Sequence, residues 1–141
     1  MKTMISFVLT VSFMIPASSF AANSGRSNFE VLNSYLKIQE SLANDSLVGI
    51  STAAEVVAKN TQDEKVKTSA QALSHDASLE SARKHFKELS LRMDQWAKNE
   101  KQSGIDRVSC PMVNAPWLQK HGAIKNPYYG KKMQGCGEVQ K

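Results

Sequence analysis

Apolar residues return every three or four positions through residues 28–99, a period that predicts helix along that whole stretch. Phe29, Leu32, Leu36, Gln39 and Leu42, with Tyr35 beside them, form a first amphipathic stripe. Asn44-Asp45-Ser46 breaks it and offers an N-cap for a second helix, Leu47 to about Lys59. Leu47, Ile50, Ala54 and Val57 share its inner face, with Gly49 an unfavourable residue in the first turn. Asn60-Thr61-Gln62-Asp63 is the next break, and a third helix runs from Glu64 to about Leu73 with Val66, Ala70 and Leu73 inward. After Ser74-His75-Asp76, Ser78 caps a fourth helix whose Leu79, Ala82, Phe86, Leu89, Met93 and Trp96 make a continuous seam. Four helices with short connections predict a mainly α fold, a four-helix up-and-down bundle.

The pattern changes at Asn99–Gly104, which is polar and ends in glycine. Residues 105–141 hold both cysteines, four of the seven glycines and every proline beyond Pro16, so a regular helix is excluded there. The expected tail is a small irregular module with a β-hairpin. Its strand is Arg107 to Met112, Pro116 to His121 is a helical turn closed by Gly122, Asn126-Pro127 is a turn, and Gly135 to Val139 is a returning strand. The expected organisation is thus residues 1–21 as a leader, 22–104 as the bundle, and 105–141 as a module packed on it.

The leader follows from Lys2, the apolar run Met4 to Ile15 and the small residues Ser19 and Ala21 before a cleavage point. That run is too short to span a bilayer, so export to a bacterial periplasm, with no membrane span after cleavage, is expected. The net charge of +5 is mild and spread along the chain, with no basic run interleaved with aromatics, so nucleic acid is not an expected partner. The polar helix faces suggest a monomer. No nucleophile elbow, Gly-rich phosphate loop, Cys-x-x-Cys or His-Glu-x-x-His appears, and the protein is not expected to be an enzyme.

The chemistry that the chain does offer is sulfur. Cys110-Pro111-Met112 is answered by Met133-Gln134-Gly135-Cys136, and thiolates with thioethers favour Cu(I) or Ag(I) over hard cations. In an extended segment Cys110 and Met112 point to one face, while a turn would fold Met133 and Cys136 together. The candidate metal ligands are therefore Cys110, Met112, Met133 and Cys136, with Trp117 and His121 as candidate neighbours. Arg107, Lys120, Lys125, Lys131 and Lys132 outnumber Asp106 and Glu138 nearby, which would favour thiolate. Two cysteines in an exported chain most often form a disulfide, worth about 3–4 kcal/mol for a loop of this size. On the pattern alone the disulfide stands somewhat ahead of the metal, and the two are compatible as a reversible gate.

The tail also resembles a bacterial periplasmic domain family found alone or fused to the membrane-fusion subunits of Cus-type copper and silver efflux pumps. The matching residues are Cys110-Pro111-Met112, Trp117-Leu118 and Asn126-Pro127-Tyr128-Tyr129-Gly130, followed by Met133, Cys136, Gly137, Glu138 and Val139. The spacer Val113–Pro116 is shorter than that family's loop. The resemblance implies a soft-metal role in sequestration, trafficking or efflux, with an efflux-pump or copper-trafficking protein as partner. It places metal binding above the alternative of a disulfide-stapled interaction module without metal.

Overall fold

The computed structural model describes residues 19–100 and 102–141. All but the last three residues of the predicted leader lie outside the described residues. Four helices follow in order: α1 Ser19–Ala43, α2 Ile50–Asn60, α3 Glu64–Ser74 and α4 Leu79–Asn99. Each packs on the next, and both α1 and α4 also pack on the C-terminal sheet. No helix among the described residues is long and apolar enough to cross a membrane.

Side-chain caps explain the starts of two helices. Asp63 accepts hydrogen bonds from the backbone N–H groups of Lys65 and Val66, and Ser78 accepts one from Ser81, so α3 and α4 begin where the sequence places them. The second helix starts later than expected. Gly49 takes φ +78 as its N-cap, and Leu47 remains outside. Asp45, read as a capping residue, instead occupies the preceding turn at φ +56. Phe29 is a second correction, for it is 64% exposed while Val31, Leu32, Tyr35, Leu36, Ile38, Gln39 and Leu42 are buried. It shares the azimuth of Leu36 but lies two turns earlier, where only an open groove beside the 120–123 loop faces it.

The tail forms three antiparallel strands, β1 Ile105–Cys110, β2 Ala115–Lys120 and β3 Glu138–Val139, in the order β2-β1-β3. The expected helical turn at Pro116–His121 is strand β2 instead. Its alternation is invisible in the sequence because Trp117 and Gln119 on one face and Leu118 on the other are all buried. Pro116 is tolerated because its ring nitrogen points away from β1, on the outer edge of the sheet. The first strand begins and ends two residues early, so the turn runs from Pro111 to Asn114. The returning strand contracts to two residues.

The outer edge of β2 is closed by two tyrosines. The Tyr128 hydroxyl donates to the Pro116 carbonyl at 2.5 Å, and the Leu118 N–H donates to the Tyr35 hydroxyl at 3.2 Å. Tyr35 also bonds Ser90 of α4 at 2.6 Å, and its ring stacks on Phe86 with centroids 5.1 Å apart. These hydroxyls stand where a fourth strand would otherwise pair, which protects an edge that could recruit another chain. Burial holds the Tyr35 and Tyr128 hydroxyls in their neutral form, well above the usual phenol range.

Candidate metal centre

Cys110 is the last residue of β1 and is fully buried; Cys136 is half-buried in the segment leading into β3. Both are free cysteines. The β1–β3 register sets Ser109 opposite Glu138 and so brings the two thiols alongside each other from neighbouring segments. The two thiols lie near each other, and Cys136 is pushed up in pKa by burial first, then by the neighbouring Cys110, and last by Glu138.

That direction corrects the electrostatic expectation. The basic residues of the tail do not favour the Cys136 thiolate. Arg107 faces the opposite side of the sheet, where its Nε donates to Asp94 at 2.9 Å. Lys125 pairs with Glu40 at 3.1 Å, and Lys131 and Lys132 are exposed in the 3-10 turn Gly130–Met133.

A buried asparagine builds the segment that presents Cys136. The Asn126 side-chain oxygen accepts from the N–H groups of Tyr128 at 2.8 Å and Tyr129 at 3.2 Å. Its Nδ2 donates to the Cys136 carbonyl at 2.7 Å, and its backbone N–H donates to the Gln134 carbonyl at 2.8 Å. One side chain thus organises the Asn-Pro-Tyr-Tyr-Gly turn and ties it to the cysteine. The turn is anchored to the bundle by Arg83 of α4, whose Nε donates to the Pro127 carbonyl at 2.9 Å and whose Nη2 meets Asp45 at 2.5 Å. Gly130, at φ +57, passes so close to this ion pair that a Cβ would collide with the Asp45 carboxylate. Gly137 lies against the sheet, where a Cβ would sit 2.6 Å from the Trp117 ring and 2.9 Å from Val108.

The remaining candidates divide. Met133 closes the 3-10 turn, half-buried, and its carbonyl accepts the Cys136 N–H at 3.0 Å, so one tight turn links the two residues. Met112 does not share a strand face with Cys110 as expected. It lies in the β1–β2 turn and is 59% exposed, and that turn is held by Lys87, which donates to the Val113 carbonyl at 2.8 Å. Trp117 is fully buried, with its indole N–H donating to Gln119 at 3.0 Å and its ring edge-on to Tyr128. Its ring is the floor under Gly137. His121 is at the other end of the hairpin, about 17 Å of strand away from Cys110. Its Nδ1 pairs with Asp106 at 3.0 Å, which raises its pKa and keeps it out of the sulfur cluster.

Sequence reasoning missed Asn126, Gly130 and Gly137 as parts of the site, although all three lie in the tail motif. Gly130 and Gly137 owe their roles to Asp45, Arg83, Trp117 and Val108, which are distant in sequence, whereas Asn126 acts on its own turn, an Asx pattern that the Asn-Pro pair signals. Among the described residues no three histidine, cysteine or carboxylate side chains come together as a metal site. Any ion held here would therefore rest on the two thiols, with thioether sulfur completing the set. Such donors fit a soft monovalent ion and not zinc, which takes four cysteine or histidine ligands in structural sites.

No curated protein and no solved structure is significantly similar to the chain. A family described as a protein of unknown function, DUF3347, matches residues 31–104, which cover the second half of α1 and all of α2 to α4 and stop where β1 begins. That match spans slightly more than half of the sequence, and the chain belongs to the DUF3347 family.

Proposed function

We propose that this protein is a soft-metal carrier of the bacterial envelope, which takes Cu(I) or Ag(I) as cargo on Cys110 and Cys136. The observation that carries the reading is the nearness of two free thiols on neighbouring segments, one fully buried and one half-buried. Two thiolates suffice for a soft monovalent ion, and Met133 is the thioether that one tight turn links to Cys136. Met112, exposed on the adjoining turn, is the sulfur best placed to meet an arriving or departing ion. The cargo would pass to an efflux or trafficking partner, and the protein would act as a carrier rather than as an enzyme.

The test is an anaerobic Cu(I) titration of the reduced protein in competition with a strong Cu(I) chelator. One equivalent should bind, and the double variant Cys110→Ser/Cys136→Ser should lose it. Met133→Leu should weaken binding, while His121→Ala should leave it unchanged. Equal binding by the double variant would refute the assignment.

The same nearness favours a second reading, in which the two cysteines form a permanent disulfide that staples the tail. Protein taken from cells under acid quench and mass-analysed separates the two. A fully oxidised pair that resists mild reductant supports the staple, whereas free thiols or bound copper support the carrier.

A further inference from the structure

The two cysteines are not equivalent. Cys110 ends a central strand, between β2 on one side and the Cys136 segment on the other, with no exposed surface. Cys136 is half-buried and adjoins exposed residues at Gly135 and Glu138. Its backbone is held at both faces of the peptide, the N–H by Met133 and the carbonyl by Asn126. The thiol therefore stays beside Cys110 while part of its surface remains open. An external reagent can reach Cys136, and the group within reach of Cys110 is Cys136.

From this asymmetry we infer that the pair is a directional thiol–disulfide exchange site, in which Cys136 meets an external organic disulfide and Cys110 resolves the adduct. The Cys136 thiol loses its proton and its sulfur attacks one sulfur of a disulfide RS–SR. That S–S bond breaks, the first RS⁻ leaves and takes up a proton, and Cys136 is left joined to the second R group. Cys110 then loses its proton and attacks the Cys136 sulfur, expelling the second RS⁻, which is protonated in turn. The protein has given up two electrons and gained a Cys110–Cys136 bond, and the disulfide has become two thiols. Attack requires a thiolate, access and a reachable sulfur; burial separates the last two between the cysteines, and the raised pKa of Cys136 makes the first attack slow at neutral pH and faster as pH rises.

This inference rests on the nearness of the thiols and their unequal burial, and not on copper. In combination with the carrier reading it means that an organic disulfide discharges the site, because oxidation removes both thiolates at once.

The experiment treats reduced, metal-free full-length protein with glutathione disulfide, quenches with acid and reads the products by mass spectrometry. The parent should convert to the intramolecular disulfide with no lasting adduct. Cys110→Ser should accumulate one glutathione on Cys136, and Cys136→Ser should react at least about tenfold more slowly, because its thiol is buried. Pulsed iodoacetamide labelling of the unaltered protein provides a check independent of variant folding, with Cys136 modified well before Cys110. Equal labelling of the two cysteines, equal rates for the two single variants, or a parent reaction that stops at the mixed disulfide would overturn the assignment. Copper titration is read separately, so a protein that fails to bind the metal can still pass this test, and the reverse.

Discussion

Replacing Asn126 with alanine should loosen the cysteine segment more than any other single change to the tail's polar groups. Asn126 has no exposed surface, and its side chain serves three backbone groups: the N–H of Tyr128, the N–H of Tyr129 and the carbonyl of Cys136. Alanine leaves all three without that partner. A stranded buried group costs about 1–3 kcal/mol, and water can reach the two partly buried ones, so the expected loss is about 3 kcal/mol. For a domain of this size that corresponds to a fall in Tm of about 10 °C. Urea denaturation under reducing conditions gives the free energy, and alkylation of Cys136 under native conditions gives the local effect. Asn126→Asp separates the two, because it keeps the acceptor for Tyr128 and Tyr129 but sets an oxygen against the Cys136 carbonyl. It should release Cys136 to alkylation while costing less overall than alanine. A loss below about 0.5 kcal/mol for Asn126→Ala, with Cys136 labelling unchanged in both variants, would refute the role given to this side chain.

Other substitutions probe the supports of the same region. Gly137→Ala should destabilise by about 1–3 kcal/mol through overpacking against Trp117 and Val108, measured by urea unfolding. Gly130→Ala should cost about 2 kcal/mol or more, since it adds left-handed strain to the loss of the Asp45–Arg83 contact. Tyr35→Phe removes the bonds to Ser90 and to the outer N–H of Leu118 and should cost about 1–2 kcal/mol, visible as a lower thermal midpoint. In acid, the Asp45 carboxyl matters. Its hydrogen bond to Arg83, followed by that to the Lys131 N–H, holds its pKa below the ordinary 3.8. A lowered carboxylate contributes stability that is present above the unfolded value and lost as pH falls through the folded one. Asp45→Asn should therefore flatten the decline in stability below about pH 4, and an unchanged acid profile would count against the latch.

The helices were legible because each carries its own information. Ser78 and Asp63 announce starts with side chains that act on the next turn, and the seam from Ala82 through Met93 repeats at helical spacing. The sheet was only half legible. Val108 and Cys110 alternate with less buried residues on β1, but β2 is covered on both faces and hides its period. The sulfur site was legible as composition and not as geometry. Cys110, Cys136 and Met133 were named from their types and spacing, whereas the exposed turn position of Met112 followed from a strand ending two residues early. His121 was offered as a neighbour because it is near in sequence, and an antiparallel hairpin carries it to the far end.

What the sequence by itself determined is therefore local: four amphipathic helices, two of them capped by a side chain, a break at Gly104, and a tail with four soft sulfur atoms. Periodicity and caps act over a few residues, and a chain states them directly. Only the tertiary structure decided that Cys110 is closed in and Cys136 half-open, that Trp117 is the floor under Gly137, and that Asn126 holds the Cys136 carbonyl. Those properties arise between segments far apart in sequence, where α4 grips the turn through Arg83 and β1 meets β3. They depend on which surfaces exclude water together, and no single stretch of the chain carries that information.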